Sequence, residues 1–194
     1  MVAQIGIWSV GPEGPHRVER SRVNLESDLE DWCAADPLLL LEGLRIVGRQ
    51  VHCEGGYIDL LGIDAQERWV VIELKRARLY REALIQALDY AASIRRMDAR
   101  TLREAIKKST GILPDAVGSL KAVDFQLQAD ESGREISIVV AGAGVDPGLD
   151  RVTDFLGGFE VPIKVISFDV FEQLDGTRLL MREVLDEGEG AQTA

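Results

Sequence analysis

The sequence predicts an α/β fold in which helices flank a mixed sheet. Three observations carry that expectation. Three short strand-like segments, separated by two turn signals, lie between residues 44 and 75. A helical stretch free of Gly and Pro follows, from Leu79 to Met97. An apolar, β-branched run, Ile136-Ser137-Ile138-Val139-Val140-Ala141, comes later and has the composition of a buried strand.

The elements can be taken in order. Gln4 to Val10 reads as a short strand, and Gly11, Pro12, Gly14 and Pro15 as a turn-rich lead-in through residue 23. Asn24 or Ser27 can cap a first helix, and Ser27 with Glu30 has capping-box spacing. Leu25, Leu29, Trp32 and Cys33 then share one helix face. Asp36-Pro37 starts a short helical turn through Leu41, and Gly43 ends it. Strands are expected over Leu44–Val51, Tyr57–Asp64 and Trp69–Lys75, joined at Gly55-Gly56 and at Ala65–Arg68 as an antiparallel meander. Thr101–Lys108 reads as a further short helix and 111–122 as a looser connection. After the strand at 135–141 come a loop, a helix over Asp150–Leu156, and strands over Val161–Phe171 and Arg178–Val184 around Asp175-Gly176. The expected organisation is a lead-in at 1–23, a core at 24–141, an αββ extension of the same domain at 142–185, and an acidic frayed tail at 186–194.

The chain has 194 residues, of which 46% are hydrophobic, enough to bury one sizeable core. There is no long apolar run of membrane-spanning length and no signal-peptide pattern at the start, so a cytoplasmic protein with no membrane partner is expected. Cys33 and Cys53 belong to no CxxC pair, and His16 and His52 are the only histidines. A structural zinc site is therefore not expected, and two packed, reduced thiols are. The net charge is −11, which at first sight disfavours a nucleic-acid partner. Its distribution qualifies that. Arg68 to Lys108 holds 11 Lys and Arg against 5 Asp and Glu, a balance of +6, whereas the remainder, with 11 and 28, carries −17. A locally basic segment on an acidic protein can meet a phosphate backbone, although a basic run is often just a solvated helix face.

The strand Trp69-Val70-Val71-Ile72-Glu73-Leu74-Lys75 puts Val70, Ile72 and Leu74 on one face and Glu73 and Lys75 on the other. A very apolar strand rarely carries two charges unless they are paired or bind something. Asp59 lies in the neighbouring strand of the meander, so it can approach Glu73. Two adjacent carboxylates repel unless a cation sits between them, and magnesium suits one or two carboxylates completed by water and phosphate. Lys75 then points at the same pocket and can serve an attacking water. An ordinary Asp–Lys–Glu ion-pair cluster explains the same residues equally well.

Asp59 followed after thirteen residues by Glu73-Leu74-Lys75 resembles the PD-(D/E)XK nuclease motif, with Ile58 in place of its proline. The flanking text, Glu42–Arg49, Gly56–Leu61 and Val70–Arg76, is similar to the NucS and RecB-like endonuclease branch. Gln86 and Tyr90 match the Q-x-x-x-Y helix of RecB-type nucleases, and residues four apart share a helix face. The resemblance spans roughly residues 24 to 97 and implies a restriction-endonuclease-like αβββαβ core. It further implies hydrolysis of DNA phosphodiester bonds with Mg2+ or Mn2+, in repair or defence. Carried over, Asp59, Glu73 and the Leu74 carbonyl would hold metal, Lys75 would serve the water, and Gln86 would support the site. Glu26 matches the first-helix metal acid of the branch by its distance from Asp59; Glu30 competes, and helical phase does not separate the two. Arg45, Arg49, Arg76, Arg78 and Tyr90 become candidate nucleic-acid contacts, each with a surface or core role as the alternative. The lead-in is shorter than the N-terminal DNA-binding domain of NucS-like enzymes, so DNA binding by a homodimer, or within a larger repair or defence assembly, is compatible with the sequence. A nuclease fold that binds nucleic acid, or acts only with a partner, is the alternative function. Every charged position of the motif is nevertheless present.

Overall fold

A computed structural model of the chain describes residues 6–21, 25–109, 135–159 and 161–185, without the side chains of 25–27. The looser connection at 111–122 and the tail at 186–194 lie outside the described residues. The strands are β1 Ile7–Gly11, β2 Gly14–Arg20, β3 Arg45–Cys53, β4 Gly56–Ile63, β5 Trp69–Lys75, β6 Ile136–Gly142, β7 Ile163–Glu172 and β8 Arg178–Leu185. The helices are α1 Leu25–Ala35, α2 Arg81–Arg96, α3 Ala99–Lys108 and α4 Pro147–Gly157, with a 3-10 turn at Pro37–Leu39. The result is a mixed α/β protein whose core is one sheet flanked by helices.

The sheet runs β1-β2-β7-β6-β5-β4-β3, with β8 also paired to β7. β3, β4 and β5 form the expected antiparallel meander. β6 lies parallel between β5 and β7, which explains its largely apolar composition: both of its faces are covered. Because the strands alternate, the sheet feeds two cores. Trp69, Val71, Leu61 and Val140 pack with Leu84, Ala87, Tyr90 and Ile94 of α2, Leu102 and Ile106 of α3, and Leu149 of α4. Ile72, Leu74, Leu60 and Phe168 pack with Leu29 and Cys33 of α1 and with Leu40 and Leu44. The two thiols are free and buried, one in each core. Burial first, and Asp36 second, push the Cys33 thiol up to about 12, so it stays protonated.

Three local outcomes differ from expectation. Residues 14–20 are a strand rather than a lead-in turn: β2 pairs with β1 and joins β7 at Glu19↔Glu172 and Arg20↔Phe171. Val18 is its one buried residue, so the segment carries no periodic apolar signal. The second helix begins at Arg81 and not at Leu79. Leu79 is buried in a bridge to Val145, with its N–H donating to Gly144 O at 2.8 Å, and is thereby held extended. α4 begins at Pro147, three residues early, because Asp146 caps it: its carboxylate accepts from the Gly148 N–H at 2.8 Å, and Pro suits the first turn. Asp146→Ala is expected to cost about 1 kcal/mol. That is a fall in Tm of about 2–4 °C for a chain of this size, read by thermal denaturation.

The β3–β4 turn anchors the meander to α2. Gly56 has φ +147, and a Cβ there would stand 2.9 Å from the Tyr90 hydroxyl of α2. Glycine therefore lets the turn sit down on that helix and fixes β3 and β4 against it. Among the described residues no helix is long and apolar enough to cross a membrane.

Candidate functional site

The β4–β5 ladder ends at Leu60↔Ile72. The next step would pair Asp59 with Glu73. Instead the Asp59 side chain enters the gap, and its Oδ2 accepts from the Leu74 N–H at 2.7 Å. A backbone donor that would have bonded to a strand is thus satisfied by a carboxylate. Asp59 is held beside the Glu73-Leu74-Lys75 segment as the sequence predicted.

Two hydrogen-bonded chains meet there. On the α2 side, Glu73 is 1% exposed and paired with the Lys75 ammonium. Lys75 Nζ also donates to Gln86 Oε1 at 3.2 Å, and Gln86 Nε2 donates to the Tyr90 hydroxyl at 2.8 Å. α2 positions these last two because Ala83, Leu84, Ala87 and Ile94 bury its other positions against the sheet. On the α1 side, Gln50 Nε2 donates to Asp59 Oδ1 at 3.2 Å and lies 3.2 and 3.3 Å from the two Glu30 oxygens. Glu30 in turn accepts from Arg49 Nε at 2.5 Å, and Arg49 Nη1 reaches Asp31 at 2.6 Å.

Burial is the first cause that lifts the Asp59 carboxyl above the usual carboxylate range, and the Glu30 charge adds to it. The Leu74 N–H, the Gln50 amide and the Lys75 charge pull the other way without cancelling it. Burial works against the Arg49 charge, but the hydrogen bonds and charges of Glu30 and Asp31 outweigh it and raise its pKa.

Among the described residues no group of three His, Cys, Asp or Glu side chains could cage a metal ion. The donor set still fits a hard cation of the magnesium type, which characteristically uses one or two carboxylates and keeps several waters. A carboxylate whose ionisation is opposed by burial and by a neighbouring acid is what such a cation relieves.

Of the residues expected at the site, Asp59, Glu73, Lys75, Gln86 and Tyr90 come together. Tyr90 departs from its expected nucleic-acid contact: it is 4% exposed in the core and offers the site only its hydroxyl. The side chain of Glu26 lies outside the described residues, so the choice between it and Glu30 is informed only by Glu30, which is joined to Asp59 through Gln50. Arg49 is engaged by two acids of α1. Arg45 is placed at the far end of β3, opposite Ile63, where it binds both oxygens of Glu67 at 2.9 and 2.8 Å. That is about 13 Å along β4 from Asp59 at the usual strand rise. Arg78 donates to Val145 O at 2.9 Å, and Arg76 is exposed beside Lys75.

Gln50 is the site residue that sequence reasoning missed. Its register was legible: Cys53↔Gly56 and Val51↔Ile58 across the Gly55-Gly56 turn put residue 50 opposite residue 59. Its backbone was not, for φ is 53°, a left-handed conformation uncommon outside glycine. Such an outlier points toward function when its side chain is in use, as here.

A profile of the Endonuclease NucS C-terminal domain family matches residues 25–136. Endonuclease NucS of Methanopyrus kandleri is 37% identical over 70 residues, 36% of this chain and 27% of that protein. Endonuclease NucS of Methanocaldococcus jannaschii is 34% identical over 65 residues, 34% of this chain and 25% of that protein. The match thus spans about a quarter of the length of these relatives. Among solved structures, an EndoMS–dsDNA2 complex aligns with 77% of this chain and 47% of its own, at 16% identity and a TM-score of 0.45. A repair endonuclease from Pyrococcus abyssi aligns with 72% of this chain and 46% of its own, at 19% identity and a TM-score of 0.41.

Proposed function

The chain belongs to the family of Endonuclease NucS C-terminal domains, and on that premise we propose that it is a Mg2+- or Mn2+-dependent deoxyribonuclease, an endonuclease acting in DNA repair or defence. The observation that carries this reading is the placement of Lys75 Nζ between Glu73 and Gln86, with Asp59 held one residue away on the Leu74 N–H. All three charged positions of the nuclease motif therefore meet in one place. The segment from α1 to β6 is read as a restriction-endonuclease-like core, with α4, β7 and β8 as its extension.

Asp59 and Glu73, with the Leu74 carbonyl and a first-helix acid, are the residues that would hold the metal. When bound, the ion polarises a phosphoryl oxygen and makes water a better nucleophile near neutral pH. The chain's own residues do the rest. Lys75, fixed by two acceptors, orients the attacking water and offsets charge that builds on phosphorus. Gln86 holds the Lys75 ammonium in place and is itself held by Tyr90. Gln50 links Asp59 to Glu30 by donating to both.

Metal binding tests the reading directly. Wild type is expected to bind Mn2+, measured by calorimetry, and Asp59→Ala to lose that binding; equal binding by both proteins contradicts the site. Gln50→Ala is expected to keep the fold but lower cleavage about 10-fold and raise the metal concentration needed for half-maximal rate, in the range typical for a group that supports metal ligands. An unchanged metal requirement removes Gln50 from the site.

The net charge of −11 favours one second reading, in which a homodimer or a larger assembly supplies the DNA affinity that this chain lacks alone.

A further inference from the structure

We propose that Gln50 is itself a ligand of the cation, bound through its side-chain carbonyl oxygen; this rests on the nuclease reading above. Three carboxylate oxygens converge on one atom of this side chain. Gln50 Nε2 lies 3.2 Å from Asp59 Oδ1, and 3.2 and 3.3 Å from Glu30 Oε1 and Oε2. An amide nitrogen carries two hydrogens, so it cannot serve three acceptors at once. All three contacts also sit at the long end of the range for N–H···O bonds. The amide thus meets more negative charge than it can satisfy, and a hard divalent cation satisfies the same oxygens better.

The backbone aims the side chain at that point. β3–β4 pairing steps from Arg49↔Leu60 to Val51↔Ile58, so Gln50 and Asp59 share the row between. In that row the β4–β5 ladder has already ended, and Gln50 adopts φ 53°. A left-handed backbone at a residue with a long side chain persists only where the surroundings hold it. Arg49 Nε grips Glu30 Oε1 at 2.5 Å and so fixes the carboxylate that faces Gln50. Gln50 also lines an open groove of about 800 Å³, which gives a hydrated ion a route to the amide.

A glutamine amide carries donors on one side and an acceptor on the other, and the torsion that exchanges them is soft. Turned over, the Gln50 amide brings Oε1 to the side where Nε2 stands. It changes from a donor to two carboxylates into an oxygen ligand beside them. Carbonyl and carboxylate oxygens together suit Mg2+ and Mn2+. Two neighbouring carboxylates already repel each other, and a neutral oxygen adds a ligand without adding a third charge. Glutamine therefore serves both conditions: it holds Asp59 and Glu30 together without an ion, and joins them around one.

The test uses the full chain and Mn2+, whose unpaired electrons report on its ligands. Protein labelled with ¹³C at the glutamine side-chain carbonyl is saturated with Mn2+ and measured by electron–nuclear double resonance. The expected result is a strong ¹³C coupling in wild type that vanishes in Gln50→Met, which removes that label and no other. Calorimetry is expected to show Gln50→Met binding Mn2+ at least about 10-fold more weakly than wild type. Gln50→Glu also lacks the amide donor but keeps an oxygen at the same reach. It is expected to bind Mn2+ at least as tightly as wild type, and to lower the Tm of the metal-free protein because a further acid faces Asp59 and Glu30. Circular dichroism checks that each variant is folded. Mn2+ bound in an Asp59-dependent way without the Gln50 coupling, or Gln50→Glu binding as weakly as Gln50→Met, overturns the ligand role and leaves the nuclease reading standing. No Mn2+ binding by wild type overturns both. Wild type that shows the coupling and yet cuts no DNA keeps the ligand role and removes the hydrolysis.

Discussion

Lys75→Gln is expected to lower cleavage about 100- to 10,000-fold, the range for removing a positioned group that acts on the reacting proton or the developing charge. The reason lies in its two acceptors. Lys75 Nζ bonds to the Glu73 carboxylate and to Gln86 Oε1, and its side chain is one third exposed, open to solvent and substrate on one side. Glutamine keeps a donor for these partners but carries no charge, so it separates charge from hydrogen bonding. Lys75→Ala is expected to lose the same activity and, in addition, to lower Tm. Glu73, at 1% exposure, then loses the cation beside it, and removing one member of a buried ion pair is costly. Circular dichroism at the assay temperature checks that both variants are folded. Retention of more than about a tenth of wild-type rate in Lys75→Gln contradicts the role.

The second large effect has opposite signs on activity and stability. Asp59→Asn is expected to abolish metal-dependent cleavage and yet to raise the Tm of the metal-free protein at pH 7. The Asp59 carboxyl sits above its ordinary range because of burial first and Glu30 second. A group with a folded pKa above the unfolded one holds its proton more tightly in the folded state. Its contribution to stability is therefore greatest below the unfolded carboxylate pKa, near about 3.9, and is lost as pH rises through the folded pKa. At pH 7 the ionised carboxylate is a net cost that asparagine removes. Asparagine still accepts from the Leu74 N–H, and the Gln50 amide can turn to meet its new donor. A gain of about 1 kcal/mol corresponds to about 2–4 °C in a chain of this length. Mg2+ should reverse the order, raising Tm for wild type and not for Asp59→Asn. A lower metal-free Tm for the variant across pH 4 to 8 contradicts the picture of opposed carboxylates.

Much of the site was legible because its elements announce themselves. The alternation in Trp69–Lys75 separates Glu73 and Lys75 from Ile72 and Leu74, and in the structure Ile72 and Leu74 enter the core on the α1 side while Lys75 bonds to Glu73 and to Gln86 of α2. The meander follows from Gly55-Gly56, and the Gln86–Tyr90 pair from helical spacing. What escaped was set by tertiary geometry. Glu26 and Glu30 share a helical phase, so only the placement of Gln50 opposite Asp59 shows that Glu30 is tied to the site. Arg45 and Arg49 look alike in sequence, but strand direction sends Arg45 to Glu67 at the far turn while Arg49 meets α1. Tyr90 reads as facing substrate because periodicity cannot tell a rim from a core, and the turn at Gly56 covers it. β2 was invisible for the converse reason: a largely exposed strand with Pro12 and Pro15 near its turn offers almost no apolar pattern.

The central claim is that Asp59, Glu73 and Lys75 form a metal-dependent DNA-cleaving site. The most direct test is cleavage of labelled single-stranded, duplex, mismatched and forked DNA with Mg2+ or Mn2+, by wild type and by Lys75→Ala side by side. Metal-dependent cutting of at least one substrate by wild type, absent in the variant, is the predicted result. Equal cutting by both proteins, or no cutting of any substrate by folded wild type, contradicts it; the second outcome leaves the chain as a binding or partner-dependent subunit.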